Sequence, residues 1–142
     1  MEKMSFALDV EDDWPPVAVE HVWCDKDGSV YELKNSPFFI RGLAFGDRFS
    51  AIPDSVNGCI FEFTLEKSSG HSLVWVVENE GTQLKLYESE LLQLGCSIER
   101  FPSIQLYAVD VPSEVEHGAV NEIMDKLEGL GFGLAFPVWR HE

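Results

Sequence analysis

The spacing of the apolar residues changes after residue 80, and this change restricts the folds open to the chain. Between residues 72 and 139, the short apolar segment Ser72–Glu78, predicted to be a strand, is followed by a segment with the spacing of a helix. A strand, a second strand, a helix and a last strand then follow. This order is typical of a ferredoxin-like βαββαβ sandwich, in which two helices cover one face of a sheet.

The two predicted helices differ in their end signals. Thr82–Leu94 places leucines at helical spacing and is followed by Gly95, a residue type that ends helices because it tolerates a left-handed backbone. In the second helix, Ser113 and Glu116 have the spacing of a capping box. We expect its buried face to carry Val115, Ala119, Ile123, Leu127 and Leu130.

Residues 17–71 contain short alternating segments separated by turn residues, such as Asp25–Gly28 and Pro53–Gly58. Cys59–Glu66 alternates most clearly and is predicted to be one strand. The pattern predicts an antiparallel β meander, curled into a partly closed barrel. Because apolar faces must be covered, we expect an α+β fold in which this meander packs on the ferredoxin-like half.

The length of 142 residues suits one compact domain. We predict that residues 17–142 form this domain, with the meander at 17–71 and the ferredoxin-like half at 72–142. Residues 1–16 are expected to be a flexible acidic segment. The reason is that Glu11–Asp13 leads into Pro15 and Pro16 without periodic apolar partners.

The composition argues against several classes of protein. A formal net charge of −15 would repel a phosphate backbone, so we expect no nucleic-acid partner. No apolar run approaches the roughly 20 residues that span a bilayer, and the first residues do not resemble a signal peptide. Cys24, Cys59 and Cys96 are odd in number and widely spaced, which favours a reducing, cytoplasmic location.

No catalytic or metal-binding motif is recognisable. Ser69–His71 does not resemble the strained elbow that carries a nucleophilic serine, and a tight turn explains it better. His21 and Cys24 would point to opposite faces of a strand, which argues against a metal site. We therefore predict no catalytic residue, no metal and no cofactor. Asp47 is expected to cap its own turn.

A series of short motifs is nevertheless distinctive. It has the form NxPFFxxGLAxGD over residues 35–47 and continues with SGHS over residues 69–72. With Val22–Trp23, Leu94–Cys96 and Tyr107–Pro112, it resembles an uncharacterised bacterial family of unknown function over roughly residues 19–139. The resemblance implies a small cytosolic bacterial protein and brings no established activity. It places the signature around Asn35, Pro37, Asp47 and Ser69–His71.

Three functions follow as hypotheses. The preferred one is a non-catalytic, immunity-type inhibitor that neutralises a basic bacterial toxin, because charge complementarity speeds association. Its contact residues would be the acids Glu62, Glu66, Glu78, Glu80, Glu88 and Glu90. The alternative is a small-molecule-binding or regulatory domain with a ligand between the halves, bound by Phe39, Asp47, Ser69 and His71. An enzyme that uses Asp47 and His71 as an acid/base pair is the least favoured.

Overall fold

A computed structural model describes residues 1–142 and has the expected α+β architecture. The chain divides into two compact units, Met1–Ser69 and Gly70–Glu142. This division lies close to residue 71, where the sequence predicts the change from meander to ferredoxin-like half. Neither helix has the length and apolar character that crossing a bilayer requires.

The first unit is a curled six-stranded sheet. Its strand order is β5-β1-β2-β3-β4-β6, and all neighbouring strands are antiparallel except β1 and β5, which are parallel. The strands are β1 (Glu2–Ala7), β2 (Val19–Asp27), β3 (Val30–Leu33), β4 (Arg48–Ser50), β5 (Cys59–Ile60) and β6 (Thr64–Lys67).

Alternation determines which side chains of this sheet form the core. In β2, Glu20, Val22 and Cys24 are buried, while His21 and Trp23 are exposed, because successive strand residues point to opposite faces. The core that they join is aromatic. The rings of Phe6, Phe49 and Phe63 lie with centroids 5.7 to 6.1 Å apart.

The expectation of a flexible segment over residues 1–16 is wrong for Glu2–Ala7, which is strand β1. This strand pairs with β2 along its whole length and buries Phe6. The acidic run is also ordered. Asp12 and Asp13 adopt left-handed backbones with φ of 53° and 64°, and the backbones of Glu11 and Trp14 exchange two hydrogen bonds of 2.9 Å. Asp tolerates this conformation, so the run forms a tight turn.

The single strand predicted for Cys59–Glu66 is divided. Its first part is β5, which pairs with β1, and its second part is β6, which pairs with β4. Only Phe61–Phe63 separates the two parts, although they lie at opposite ends of the strand order. A connection from Ile60 to Thr64 spans at most about 14 Å. The sheet must therefore curl until its ends approach, which gives the predicted partly closed barrel.

The second unit confirms the ferredoxin-like prediction. A four-stranded antiparallel sheet has the order β10-β7-β9-β8, with the two helices α1 and α2 in the expected positions in the chain. The elements are β7 (Ser72–Val77), a 3-10 turn (Leu84–Tyr87), α1 (Glu88–Leu94), β8 (Ser97–Phe101), β9 (Leu106–Val111), α2 (His117–Gly129) and β10 (Gly133–Val138).

The helix ends confirm one sequence signal and correct another. Gly95 ends α1 with φ of 104°, as expected. The capping box is wrong, because Glu116 is itself the N-cap and accepts hydrogen bonds from the N–H groups of Gly118 and Ala119. The helix consequently begins later, and Leu130 of the predicted buried face is exposed. The buried residues of α2 are Val120, Ile123, Met124 and Leu127.

Candidate functional site

The Pro-Phe-Phe loop of the signature is held to β2 by a buried carboxylate. Glu20 is only 8% exposed, and its two oxygens accept from three consecutive N–H groups, those of Phe38, Phe39 and Ile40, at 2.6, 2.9 and 3.1 Å. The side-chain oxygen of Asn35 accepts from the N–H of Trp23 at 2.7 Å. These bonds satisfy the main chain of an irregular loop, so this part of the signature determines structure.

Asp47 and Ser69 meet, as the sequence suggests, but inside the first unit. Asp47 has no exposed surface. Its carboxylate accepts from the N–H of Ala44 at 2.9 Å and from the N–H of Ser69 at 2.8 Å. The Ser69 hydroxyl lies 2.7 Å from the carbonyl oxygen of Phe45 and 3.0 Å from Asp47. The carboxylate therefore caps its own turn, as predicted, and fixes the end of the unit.

The other two predicted ligand residues have different surroundings. Phe39 is half-buried, and its ring lies edge-on to Trp14 with centroids 5.8 Å apart. His71 belongs to the second unit, where its Nδ1 lies 2.8 Å from a carboxylate oxygen of Asp110. Burial raises the pKa of Asp110, and the nearby His71 opposes this only in part. Desolvation thus outweighs the interaction of the carboxyl with His71 at this position.

A serine–histidine contact that the sequence analysis missed lies at the start of β7. The Ser72 hydroxyl is 2.6 Å from His141 Nδ1, and His141 Nε2 is 2.9 Å from the carbonyl oxygen of Pro112. Nε2 donates to that carbonyl, so in the neutral ring Nδ1 accepts the serine proton. Ser72 and His141 have no exposed surface. The two residues are 69 positions apart, so no local signal indicates the contact, which attaches the segment after β10 to the start of β7.

The six acids predicted to contact a partner are divided between the units. Glu62 and Glu66 lie in the first unit, and the other four lie in the second. Three of the six have structural contacts: Glu66 accepts from the Ser50 hydroxyl, Glu78 from the N–H of Leu84, and Glu90 from Lys126. The remaining three, which form no hydrogen bond or ion pair, are Glu62, Glu80 and Glu88.

One of these acids borders a surface groove of the first unit. The groove has a volume of about 960 Å³ and is lined by residues 50–52, 61–64, Ser29 and Asp54. Two of its apolar side chains are exposed, Ile52 at 91% and Phe61 at 62%. Glu62 follows Phe61 directly and is itself exposed. The groove therefore combines accessible apolar surface with negative charge.

The second unit contains a smaller cleft of about 360 Å³, lined by Lys85, Glu88, Leu92, Ile98, Arg100 and Tyr107. No group of three or more His, Cys, Asp or Glu side chains is placed to hold a metal ion. The three cysteines form no disulfide. Burial raises the pKa of Cys24 to about 12 and that of Cys96 to about 11, so both thiols stay protonated.

Comparison with known proteins places the chain in a family. A structure described as the novel crystal structure of a hypothetical protein from Neisseria gonorrhoeae is similar, with a TM-score of 0.76 and 15% identity over 97% of this chain and 96% of that chain. Identity this low shows a shared fold only. No curated protein matches the chain. The model of the family described as Domain of unknown function (DUF4265) matches residues 20–133, which include the signature motifs, and the chain belongs to that family.

Proposed function

We propose that this chain is a non-catalytic binding protein, an immunity-type inhibitor that neutralises a basic bacterial toxin by direct contact. The observation that carries the proposal is the groove of the first unit, where Ile52 and Phe61 are exposed beside Glu62. An exposed apolar patch that is bordered by polar residues is typical of an interaction site. An adjacent carboxylate favours a cationic partner.

The polar residues best suited to chemistry support binding over catalysis. The Asp47 carboxylate and the Ser72 hydroxyl have no exposed surface, and each accepts or donates hydrogen bonds within the fold. A nucleophile or general base must lie within hydrogen-bond reach of a substrate. Neither group meets that condition in this structure.

The charge distribution supports a basic partner. Residues 1–69 carry thirteen Asp and Glu against six Lys and Arg, and residues 70–142 carry twelve against four. Both units are therefore acidic, and their field attracts a cationic protein over a distance of about one Debye length, about 8 Å at physiological salt. In this proposal the general charge accelerates encounter, and the groove selects the partner.

The proposal is tested by capture and by salt dependence. The immobilised chain is exposed to a lysate of the cells that produce it, and the captured protein is identified, purified and titrated. We expect a basic protein whose affinity falls at least tenfold between 0.05 and 0.5 M salt, because exposed charges are screened. Glu62→Gln should weaken binding about twofold to fivefold. Co-production of the chain should restore growth to cells that make the captured protein.

Glu128→Gln is the matched control, because Glu128 is also an exposed acid but lies on α2 in the second unit. It should leave the affinity for the captured protein unchanged. A partner that is acidic, or one whose affinity does not depend on salt, would contradict the proposal. So would equal effects of the two substitutions.

A second candidate function is the binding of a small molecule, which the cleft of the second unit favours. Lys85 and Arg100 are two of only four cationic side chains in residues 70–142, and both line this cleft without forming an ion pair. Tyr107 supplies an aromatic wall and lies 5.9 Å from the Arg100 guanidinium. A screen of carboxylate metabolites by thermal shift tests this role. A stabilising compound should lose its effect in Arg100→Gln and keep it in Arg48→Gln.

A further inference from the structure

The groove of the first unit lies where a β ladder stops. Strands β4 and β6 pair as far as Ser50 and Thr64, and beyond them the chain leaves the sheet on both sides. One side continues as residues 51–53 and the other as residues 61–63, and both line or adjoin the groove. Together these two segments form a structure that we call the fork, and each segment is one of its arms.

The main chain of both arms lacks backbone partners. No backbone hydrogen bond joins Ala51, Ile52, Phe61, Glu62 or Phe63 to any other residue, although each of them has an N–H and a C=O group. Backbone groups of this kind must be satisfied by water or by another chain. An unpaired strand edge is a ready template for a further strand.

The loop that follows the arm of residues 51–53 is held by its own hydrogen bonds, so this wall of the groove is already ordered. Asp54 donates its N–H to the carbonyl oxygen of Cys59 at 2.8 Å and accepts the N–H of Gly58 at the same distance. Its carboxylate oxygen Oδ1 accepts from the N–H groups of Val56 and Asn57. A wall that is already ordered reduces the entropy lost on binding.

We infer that the fork binds an extended basic segment of the partner by main-chain hydrogen bonding, with apolar side chains of that segment against Ile52 and Phe61 and cationic ones beside Glu62. The inference rests on the proposed function and specifies its contact. An extended segment is the occupant that can satisfy the unpaired N–H and C=O groups of either arm. Its alternating side chains then reach the apolar wall and the acid from opposite faces.

The first test compares two substitutions of equal exposure. Ile52 is 91% exposed and lines the groove, whereas Val56 is 92% exposed and does not line it. Neither Ile52→Ser nor Val56→Ser should affect folding, because neither side chain is buried. The probe is a seven-residue peptide of alternating lysine and valine, titrated by calorimetry or NMR. We expect Ile52→Ser and Phe61→Ala each to weaken binding at least about fivefold and Val56→Ser to have no effect.

The second test separates main-chain pairing from contact through side chains alone. N-methylation removes amide donors without changing charge or side chains, and in a strand alternate amides point to opposite edges. The peptide is therefore methylated on one alternating set of amides or on the other. We expect one of these peptides to lose binding at least tenfold and the other to bind like the parent. Hydrogen exchange should slow at the amides of Ile52 and Phe61 when the parent peptide binds.

The outcomes distinguish this inference from the proposed function. If the peptide or the captured partner binds with strong salt dependence, but both methylated peptides bind equally and the fork amides are not protected, the strand-pairing inference is overturned and the proposed function stands. If neither the peptide nor any basic protein binds in a salt-dependent way, both are overturned. If acidic and basic alternating peptides bind equally, the stated chemistry of the segment is wrong.

Discussion

Loss of the Glu20 carboxylate should lower the stability of the Pro-Phe-Phe loop more than the loss of any exposed carboxylate does. In Glu20→Ala, the three N–H groups of Phe38, Phe39 and Ile40 lose their acceptors. A buried donor without a partner costs about 1–3 kcal/mol. Phe38 and Phe39 are half-buried, so water can partly replace the carboxylate there, and we take the lower value for each donor. The expected loss is about 3 kcal/mol.

Glu20→Gln should be less severe, because its single amide oxygen can still accept from Phe39 and Ile40. Its NH₂ group then faces the N–H of Phe38, and we expect a loss of about 1 kcal/mol. Glu62→Ala is the control, because its side chain is exposed and makes no hydrogen bond or ion pair. Such a surface substitution usually changes stability by less than about 0.5 kcal/mol.

The assay is urea unfolding followed by far-UV circular dichroism, together with hydrogen exchange at residues 38–40. With a urea dependence of about 1–3 kcal/mol per molar, a loss of about 3 kcal/mol moves the midpoint by roughly 1 M or more. Glu62→Ala should be the most stable of the three variants, Glu20→Gln should be intermediate, and Glu20→Ala should be the least stable. If Glu20→Ala and Glu62→Ala unfold at the same urea concentration, and exchange at residues 38–40 is unchanged, the carboxylate does not hold the loop.

Two further predictions concern groups that resemble functional residues. Asp47→Ala should lower the free energy of unfolding by about 2–3 kcal/mol, since the N–H groups of Ala44 and Ser69 lose their acceptor. Urea denaturation of this variant is compared with that of Asp9→Ala, the control at an exposed position. Equal urea midpoints for the two variants would disprove the prediction. Iodoacetamide at pH 8 should alkylate Cys59 first and reach Cys24 and Cys96 only after urea is added, because burial raises the pKa of these two thiols to about 12 and about 11. Peptide mass spectrometry measures the order, and equal native rates at all three cysteines would show that burial does not protect them.

The second half of the chain could be predicted because its hydrophobic periods are long and its end signals are local. The continuous apolar run in Ser72–Val77 and the leucine spacing before Gly95 both correspond to buried positions. Strand β1 was not predicted because Phe6 is the only one of its six side chains that is buried, so it shows no alternating pattern. Its place in the sheet depends on pairing with β2, which no local pattern records.

Local patterns also misplaced a helix cap and a strand. Ser113 and Glu116 have the spacing of a capping box, but Glu116 reaches the first free N–H groups of α2 by itself. Cys59–Glu66 alternates without interruption, yet its two parts pair with different neighbours. The fork between β4 and β6 exists because of this exchange of partners, so it could not be found from periodicity.

The candidate site residues could also be predicted only in part from the sequence. The sequence brings Asp47 and Ser69 together correctly, across 22 residues, because both belong to the signature. It does not reveal that Asp47 is completely buried. The hydrogen bond between His71 and Asp110, which lie 39 positions apart, likewise has no local signal in the sequence.

The carboxylates of this protein therefore fall into two groups: those that accept hydrogen bonds from backbone N–H groups, and those that are exposed without such bonds. Glu20 and Asp47 are buried and each accept at least two backbone N–H groups, so their charge stabilises the fold and is not offered to a partner. A net charge of −15 thus overstates the surface that can recognise another protein. Glu62 differs because it is exposed, makes no hydrogen bond or ion pair, and stands between two phenylalanines on an arm whose main chain is unpaired. Exposed charge and apolar surface lie there beside main-chain groups without backbone partners, and for this reason we propose the fork as the part of the surface that recognises a partner.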